Sequence, residues 1–393
     1  MGPPVPPPLM PARPVLLRRA LALAVLFLAA APHAQETAES PDLGDGGSEL
    51  TFGGLVQTQF NTSPVEGADA TELLLRRVRL SANARVSPLV SGRIQAELAN
   101  AAEGGSAELN EAYALFEFAP ALGVLVGKGG RPFGIIDATT AATLVPIERG
   151  ARFRGAEAVE LYRTLEALAY AGRSVGVQVL GETSGPVGLA YAAGYFSGST
   201  GEEGADADIR QFAARLQVQP LALLKVGVAA TSRAFARDDP PGLETGGEAT
   251  GSDPAGETAR GAGFALDVEV GEYGRPGFHV LGEVAVGTLD PFRDHNFRAA
   301  QGWVAYRVGG LGAATGGALV AVEPLFRASV ADAEGPLGAA EGVLLTPGLN
   351  LYAARNTRLA LNLDVFLPSG DGPGPAADDD ALVAFRSQVQ IAF

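Results

Sequence analysis

Arginines at alternate positions are the chemistry-bearing feature of this chain. In Leu74 to Val86, the residues Arg77, Arg79, Ser81, Asn83 and Arg85 share one parity, and Val78, Leu80, Ala82, Ala84 and Val86 share the other. Strand periodicity puts all three guanidiniums on one face. A guanidinium binds and orients anions but does not exchange protons near neutral pH, so the chemistry on offer is electrostatic recognition rather than bond making. The pattern recurs where Arg93, Gln95 and Glu97 oppose Ile94, Ala96 and Leu98, and where Arg358, Asn362 and Asp364 oppose Leu359, Leu361, Leu363, Val365 and Leu367. At the C-terminus Arg386, Gln388 and Gln390 oppose Phe385, Val389, Ile391 and Phe393. A charged face of this kind is prohibitive in a dry sandwich core but natural in a closed barrel, where it meets water and the oily face meets lipid. Arg77, Arg79, Arg85, Arg93, Glu97, Glu111, Arg358, Asp364 and Arg386 are therefore the candidate pore-lining residues.

The elements that must carry these residues are strands of about ten residues with a dyad repeat. Segments near 50–61, 74–86, 91–100, 109–118, 121–128, 174–182, 187–196, 208–219, 222–233, 262–272, 277–288, 296–308, 317–330, 341–353, 358–367 and 381–393 give about sixteen. The fold class expected is all-β, a transmembrane antiparallel barrel. Those near 174–182 and 187–196, and those between 262 and 353, alternate less regularly, being rich in glycine and alanine. Ser87-Pro88, Pro120 and Pro220 mark tight turns on one side, and Gly309-Gly310 and Gly316-Gly317 read as further hairpin turns. Longer polar loops lie near 62–72, 101–108, 197–207, 234–260 and 368–380. The stretch from Gly129 to Arg173 is far longer than an ordinary connection. Val159, Tyr162, Leu165 and Ala169 recur there at helical spacing, with a two-strand hairpin as the competing reading. A loop folded into the lumen is preferred, because Arg149, Arg152 and Arg154 with Glu148 and Glu157 suit a wet constriction.

The ends and the composition agree. Residues 1–34, with Arg13, Arg18 and Arg19 before the apolar run Ala20 to Ala31, read as a secretory signal peptide, followed by a lead at 35–49 and a barrel domain at 50–393. Downstream, no apolar run reaches the roughly 20 residues of a membrane helix, so membrane residence requires a closed barrel. The chain has no cysteine, which removes disulfides and thiolate metal sites. Charged residues make up 19%, and the net charge of −15 becomes more negative still without the three signal arginines, which argues against nucleic acid as a partner. No cofactor is expected.

Two other function classes fit the residues less well. A lipase-like barrel enzyme has little support: His279 and His295 stand alone, without a serine motif or a carboxylate at ligand spacing. A secreted all-β binding protein would fit a propeller only with a repeat that the chain lacks. Trp303, Tyr191, Tyr195, Tyr306 and Tyr352 read as interfacial girdle residues rather than sugar platforms.

Several segments carry a family likeness. Gly127-Lys128-Gly129-Gly130-Arg131-Pro132-Phe133-Gly134 followed by Pro146-Ile147-Glu148-Arg149-Gly150 resembles the "GQ-x-K-x-PFG … ERS" signature of the phosphate-selective porin O/P family. Leu75 to Leu80 resembles its "RRARLG" strand and Asn110 to Tyr113 its "LKDAYV". Ser174 to Gln178 with Ala192 to Gly198 resembles its "D-x-GVQ … Y-x-x-G-x-FNG" pair, and Gly348 to Tyr352 its "GLNWY". The resemblance implies a sixteen-stranded porin of the bacterial outer membrane, usually a homotrimer, whose third long loop narrows the pore. It also implies outer-membrane lipid and small polar or anionic solutes, phosphate among them, as partners. Arg77, Arg79, Arg149 and Arg131 are the positions that match the family's arginine ladder. Lys128 and Lys225 are isolated, so the family's lysine cluster has no counterpart. Arg131, Glu148, Arg149, Arg152 and Arg154 are the candidate constriction residues.

Overall fold

The computed structural model describes residues 49–63, 65, 70–102, 104–154, 156, 158–183, 185, 187–197, 210–236, 258–334, 340–369 and 381–393. The expected signal peptide (1–34), its lead up to residue 48, Glu157 and most of the acidic loops lie outside them.

Alternating sequence becomes alternating structure. The strands are β1 (Glu49–Thr62), β2 (Thr71–Arg85), β3 (Val90–Glu97), β4 (Glu108–Ala119), β5 (Leu122–Gly130), β6 (Ala158–Val159), β7 (Arg173–Thr183), β8 (Gly188–Ser197) and β9 (Arg210–Leu221). They continue with β10 (Leu224–Ala236), β11 (Thr258–Val270), β12 (Gly277–Asp290), β13 (His295–Gly309), β14 (Ala321–Ala333), β15 (Ala340–Ala354), β16 (Thr357–Pro368) and β17 (Leu382–Ala392). Apart from the two-residue β6, which pairs in parallel with the start of β15, the strands pair antiparallel with their neighbours. β1 bonds to both β2 and β17, so sixteen strands close into one barrel. Closure leaves no edge, which is what a backbone in hydrocarbon requires. Phe393 seals the seam: its N–H donates to Gly54 O at 3.1 Å and its carbonyl accepts from Gly54 N at 2.7 Å.

Each of the sixteen segments expected from the sequence is a strand, shifted by a few residues. One turn moves: Pro220 stays inside β9, and Ala222 and Leu223 make the bend to β10. Leu80, Ile94, Phe264, Phe278 and Val284 are exposed on the outward face. Connections at the end that holds the start of β1 and the end of β17 are short except 310–320, and those at the other end are longer except 291–294.

The packed core sits inside the barrel. The 131–172 loop, carrying α2 (Ile135–Ala138) and α3 (Leu161–Ala167) after the small α1 (Ala99–Ala102) of an earlier loop, turns inward and is almost wholly buried. Phe133, Ile136, Leu144, Leu161, Leu165 and Leu168 pack against Leu281, Trp303 and Leu325 of the inner wall. This corrects two girdle assignments: Trp303 and Tyr352 face inward and are buried, whereas Tyr195 and Tyr306 are exposed. The expected helix forms as α3, but Val159 belongs to β6 and Ala169 lies past the helix end with φ 49°.

Candidate functional site

The inward loop owes its position to side chains from consecutive strands that bind its backbone. Gln57 and Gln390 donate to the carbonyls of Ala141 and Ala142 at 3.2 and 2.9 Å, Arg358 to Leu144 at 2.5 Å, Asn350 to Val145 at 3.0 Å and Gln301 to Arg149 at 2.7 Å. Arg327 donates to Glu148 O at 2.8 Å and meets Asp364 at 3.0 Å, and Asp364 also takes Arg386 at 2.6 Å. An irregular loop has no ladder of its own, so the wall supplies the partners its buried carbonyls need.

Glu148 is the charged anchor. β2 carries a register irregularity opposite Gln57 and Thr58, and a bulge of this kind lets two successive residues aim the same way. Arg76 and Arg77 both reach the Glu148 carboxylate at 2.7 Å, and Gln59 donates to it at 2.8 Å. Burial by itself would raise the Glu148 carboxyl, but the charges and hydrogen bonds of Arg76 and Arg77 outweigh it and hold the group well below the ordinary carboxylate range.

Two glycines in the segments that resemble the family signature have physical reasons, Gly134 within it and Gly150 where it has serine. At Gly134 (φ 79°) a Cβ would stand 2.5 Å from Oε1 of Glu283, whose Oε2 accepts the Ile136 N–H at 2.9 Å. At Gly150 a Cβ would stand 2.1 Å from Oε1 of Glu160. Glu160 caps α3, accepting from Arg163 N at 2.9 Å and Tyr162 N at 3.2 Å, and also takes the Ser329 hydroxyl at 2.8 Å. Burial raises its carboxyl, against the pull of Arg327 and these donors.

The candidate residues divide into two groups. Arg77, Arg358, Asp364 and Arg386 point inward yet lie beneath the loop, with exposures of 5, 1, 2 and 5%. Arg79, Arg85, Arg93, Glu97 and Glu111 stand on the wall that the loop leaves uncovered. There Arg79 meets Glu97 at 2.8 Å, Arg93 and Arg173 meet Glu111 at 2.7 and 3.0 Å, and Arg85 meets Glu117 at 3.4 Å.

Within the loop, Arg149 is buried and donates to the carbonyls of Ile136 and Thr139. Arg131 is buried against Ser174, Gln211 and the Ala171 carbonyl, and burial, with Arg233 adding to it, pushes its guanidinium down to about 10. Arg152 and Arg154 are exposed and pair with Glu166 at 2.9 Å and Glu72 at 3.5 Å. The expectation of a wet constriction formed by all five thus meets a loop in which Arg131, Glu148 and Arg149 serve packing and Arg152 and Arg154 face solvent.

Sequence reasoning missed Arg76 and the neutral anchors Gln57, Gln301 and Asn350. The Arg76-Arg77 doublet breaks strict alternation and was the available signal for a bulge. His279 is not alone: its Nε2 lies 3.1 Å from Glu269, which also takes Lys225 at 2.9 Å. Lys128 is in register with Ala112 and Val175 on the outward row. Among the described residues, no three His, Asp or Glu side chains group as a metal ion would require.

No protein-family model and no curated protein matches the chain. Its fold is similar to solved outer-membrane porin structures. Against an anion-selective porin from Comamonas acidovorans the TM-score is 0.62 at 12% identity, covering 88% of this chain and 100% of that one. Salmonella typhi OmpF gives 0.57 at 11% identity with 90% and 100% covered, and the trimer form of Vibrio cholerae OmpT gives 0.55 at 15% identity with 88% and 99% covered. At these identities the likeness is one of fold: a sixteen-stranded barrel of outer-membrane porin type.

Proposed function

We propose that the protein is an outer-membrane porin, a passive diffusion channel for small polar solutes, exported by its N-terminal signal segment and assembled as a homotrimer. The observation that carries this reading is the asymmetry of the lumen. The inward loop is fastened to one side, and the wall of β2 to β4 keeps a polar, half-exposed surface of paired charges. A hydrated path of this kind lets polar solutes cross hydrocarbon without shedding their water. The trimer rests on the family resemblance and on the trimer form of the structurally similar OmpT.

Selectivity follows from the count of fixed charges. Where β2, β3, β4 and β7 share ion pairs, three guanidiniums, Arg79, Arg93 and Arg173, face two carboxylates, Glu97 and Glu111, whereas Arg85, Glu117 and Glu182 lie at the short-turn end. A small excess of positive charge in a narrow passage is screened less than loop charges outside it, so the preference is weakly for anions. Phosphate would pass as one small anion among others, because Lys128 faces outward and Lys225 is paired with Glu269, leaving no lysine cluster. Planar-bilayer recordings test this. The expected result is stable ohmic steps in KCl and a reversal potential modestly on the anion side under a salt gradient. Absence of steps from folded protein would refute the channel, and clear cation preference would refute the selectivity.

A further inference from the structure

At the short-turn end, the open half of the lumen widens into a cavity of about 720 Å³. Its floor is apolar. Leu115 on β4 and Leu180 on β7 line it, each half-buried, beside glycine and alanine positions of β5 and β8. Both signs of charge rim it: Arg85, half exposed and only 3.4 Å from Glu117, stands on one side, Glu182 at the end of β7 is exposed on another, and Gln217 of β9 adds an amide. Arg215 also borders the cavity, but its guanidinium is engaged with both oxygens of Asp267.

A wall that only passes ions gains nothing from leucines facing water, since exposed apolar surface is unfavourable by about 25 cal/mol per Å². A solute with an apolar side chain would cover them. The guanidinium of Arg85 suits a carboxylate, and Glu117 and Glu182 suit an ammonium group. Arg85 and Glu117 already face each other and Glu182 adds a second carboxylate, which argues against a solute of net negative charge and favours one that carries both signs.

We infer that this cavity is a binding site for amino acids and dipeptides with apolar side chains, held as zwitterions on their way through the pore. The inference rests on the channel reading above and names the solutes that the channel retains. The experiment compares L-leucyl-L-leucine with glycylglycine as blockers of single-channel KCl current. Leucyl-leucine is expected to interrupt the current at a concentration about tenfold lower, as burial of two apolar side chains allows. The double variant Leu115→Asn/Leu180→Asn should erase the difference, and Arg85→Gln should weaken both blockers. Heat-modifiable gel migration verifies that each variant is folded.

Equal potency of the two dipeptides in the parent channel, or discrimination that survives in the double variant, would overturn the site. Saturation-transfer NMR on the detergent-solubilised protein provides a readout independent of conduction. Transfer to the leucine methyls of the dipeptide, lost in the double variant, supports the site, and no transfer in the parent overturns it. If KCl gives no current while transfer is seen, the channel reading fails and the cavity stands.

Discussion

The two halves of the inner wall obey different rules. From β10 through β17 to β1 the wall is buried beneath the inward loop, and its side chains are either apolar, such as Leu281, Trp303 and Leu325, or charged and hydrogen-bonded, such as Arg327, Arg358 and Asp364. From β2 to β9 the inward positions are largely polar, small or half-exposed, and the ion pairs of β2 to β4 are partly wet. The same residue type therefore has two uses. Arg358 and Arg327 hold carbonyls in place, while Arg79 and Arg93 set the charge of a surface that solutes would meet. An arginine on the inward parity of a barrel strand becomes part of the passage only where no loop lies over it.

The sharpest way to break this contrast is to remove the charged anchor. Trp303 is the sole tryptophan and is buried among the residues that pack the loop to the wall, so its fluorescence reports docking. Glu148→Gln leaves the buried Arg77 and the half-buried Arg76 without their carboxylate, and removing one member of a buried pair costs about 3–5 kcal/mol. Urea titration of Trp303 emission should show the loop releasing at much lower denaturant than in the parent, with the barrel still folded by gel migration. An unchanged transition would mean that Glu148 does not fasten the loop.

Acid provides a smaller perturbation of the same contact. Because the folded-state Glu148 carboxyl lies below its unfolded value, its contribution is present above the ordinary carboxylate range, near pH 4.3, and is lost as pH falls through the depressed folded value. Glu160 works with the opposite sign: its raised carboxyl gains stability as pH falls into mild acid. Trp303 emission should therefore hold from neutral pH through mild acid and shift red only in stronger acid. That limb should vanish in Glu148→Gln. A red shift beginning near neutral pH would contradict the assignment.

On the open half the expected effect on stability is smallest. Arg79→Gln breaks a partly wet pair, worth about 1 kcal/mol or less, and Glu97 retains the Val78 N–H at 2.7 Å. Docking measured by Trp303 should barely change, while the reversal potential moves toward cations. A docking change as large as that of Glu148→Gln would erase the distinction between the halves.

The same distinction explains what could be read from the sequence. β2, β3, β16 and β17 were plain because one face is oily and the other polar. Between β11 and β15 alternation faded for a physical reason: where the loop packs dry, the inward row is also apolar, as at Leu281, Trp303 and Leu325, so both faces look alike. Trp303 and Tyr352 were misplaced in the girdle on that account, since an aromatic residue does not reveal which side of a barrel is covered. The inward loop was visible as an overlong connection, and Glu148 and Arg149 were singled out in it. The wall side chains that hold it were not, because Gln57, Gln301 and Asn350 look like any polar lumen residue until the loop's carbonyls are placed against them.

A chain without cysteine permits the most direct test of the central claim, that the loop covers one half of the lumen and leaves the other as the passage. Single cysteines are placed at Ser81 and Gln95 on the open wall and at Ala360 and Ala384 beneath the loop, and a charged, membrane-impermeant thiol reagent is added during bilayer recording. The account predicts rapid modification and a stepwise fall in conductance for Ser81→Cys and Gln95→Cys, and no reaction for Ala360→Cys and Ala384→Cys. Fast modification at Ala360 and Ala384, or inert sites at Ser81 and Gln95, would contradict it.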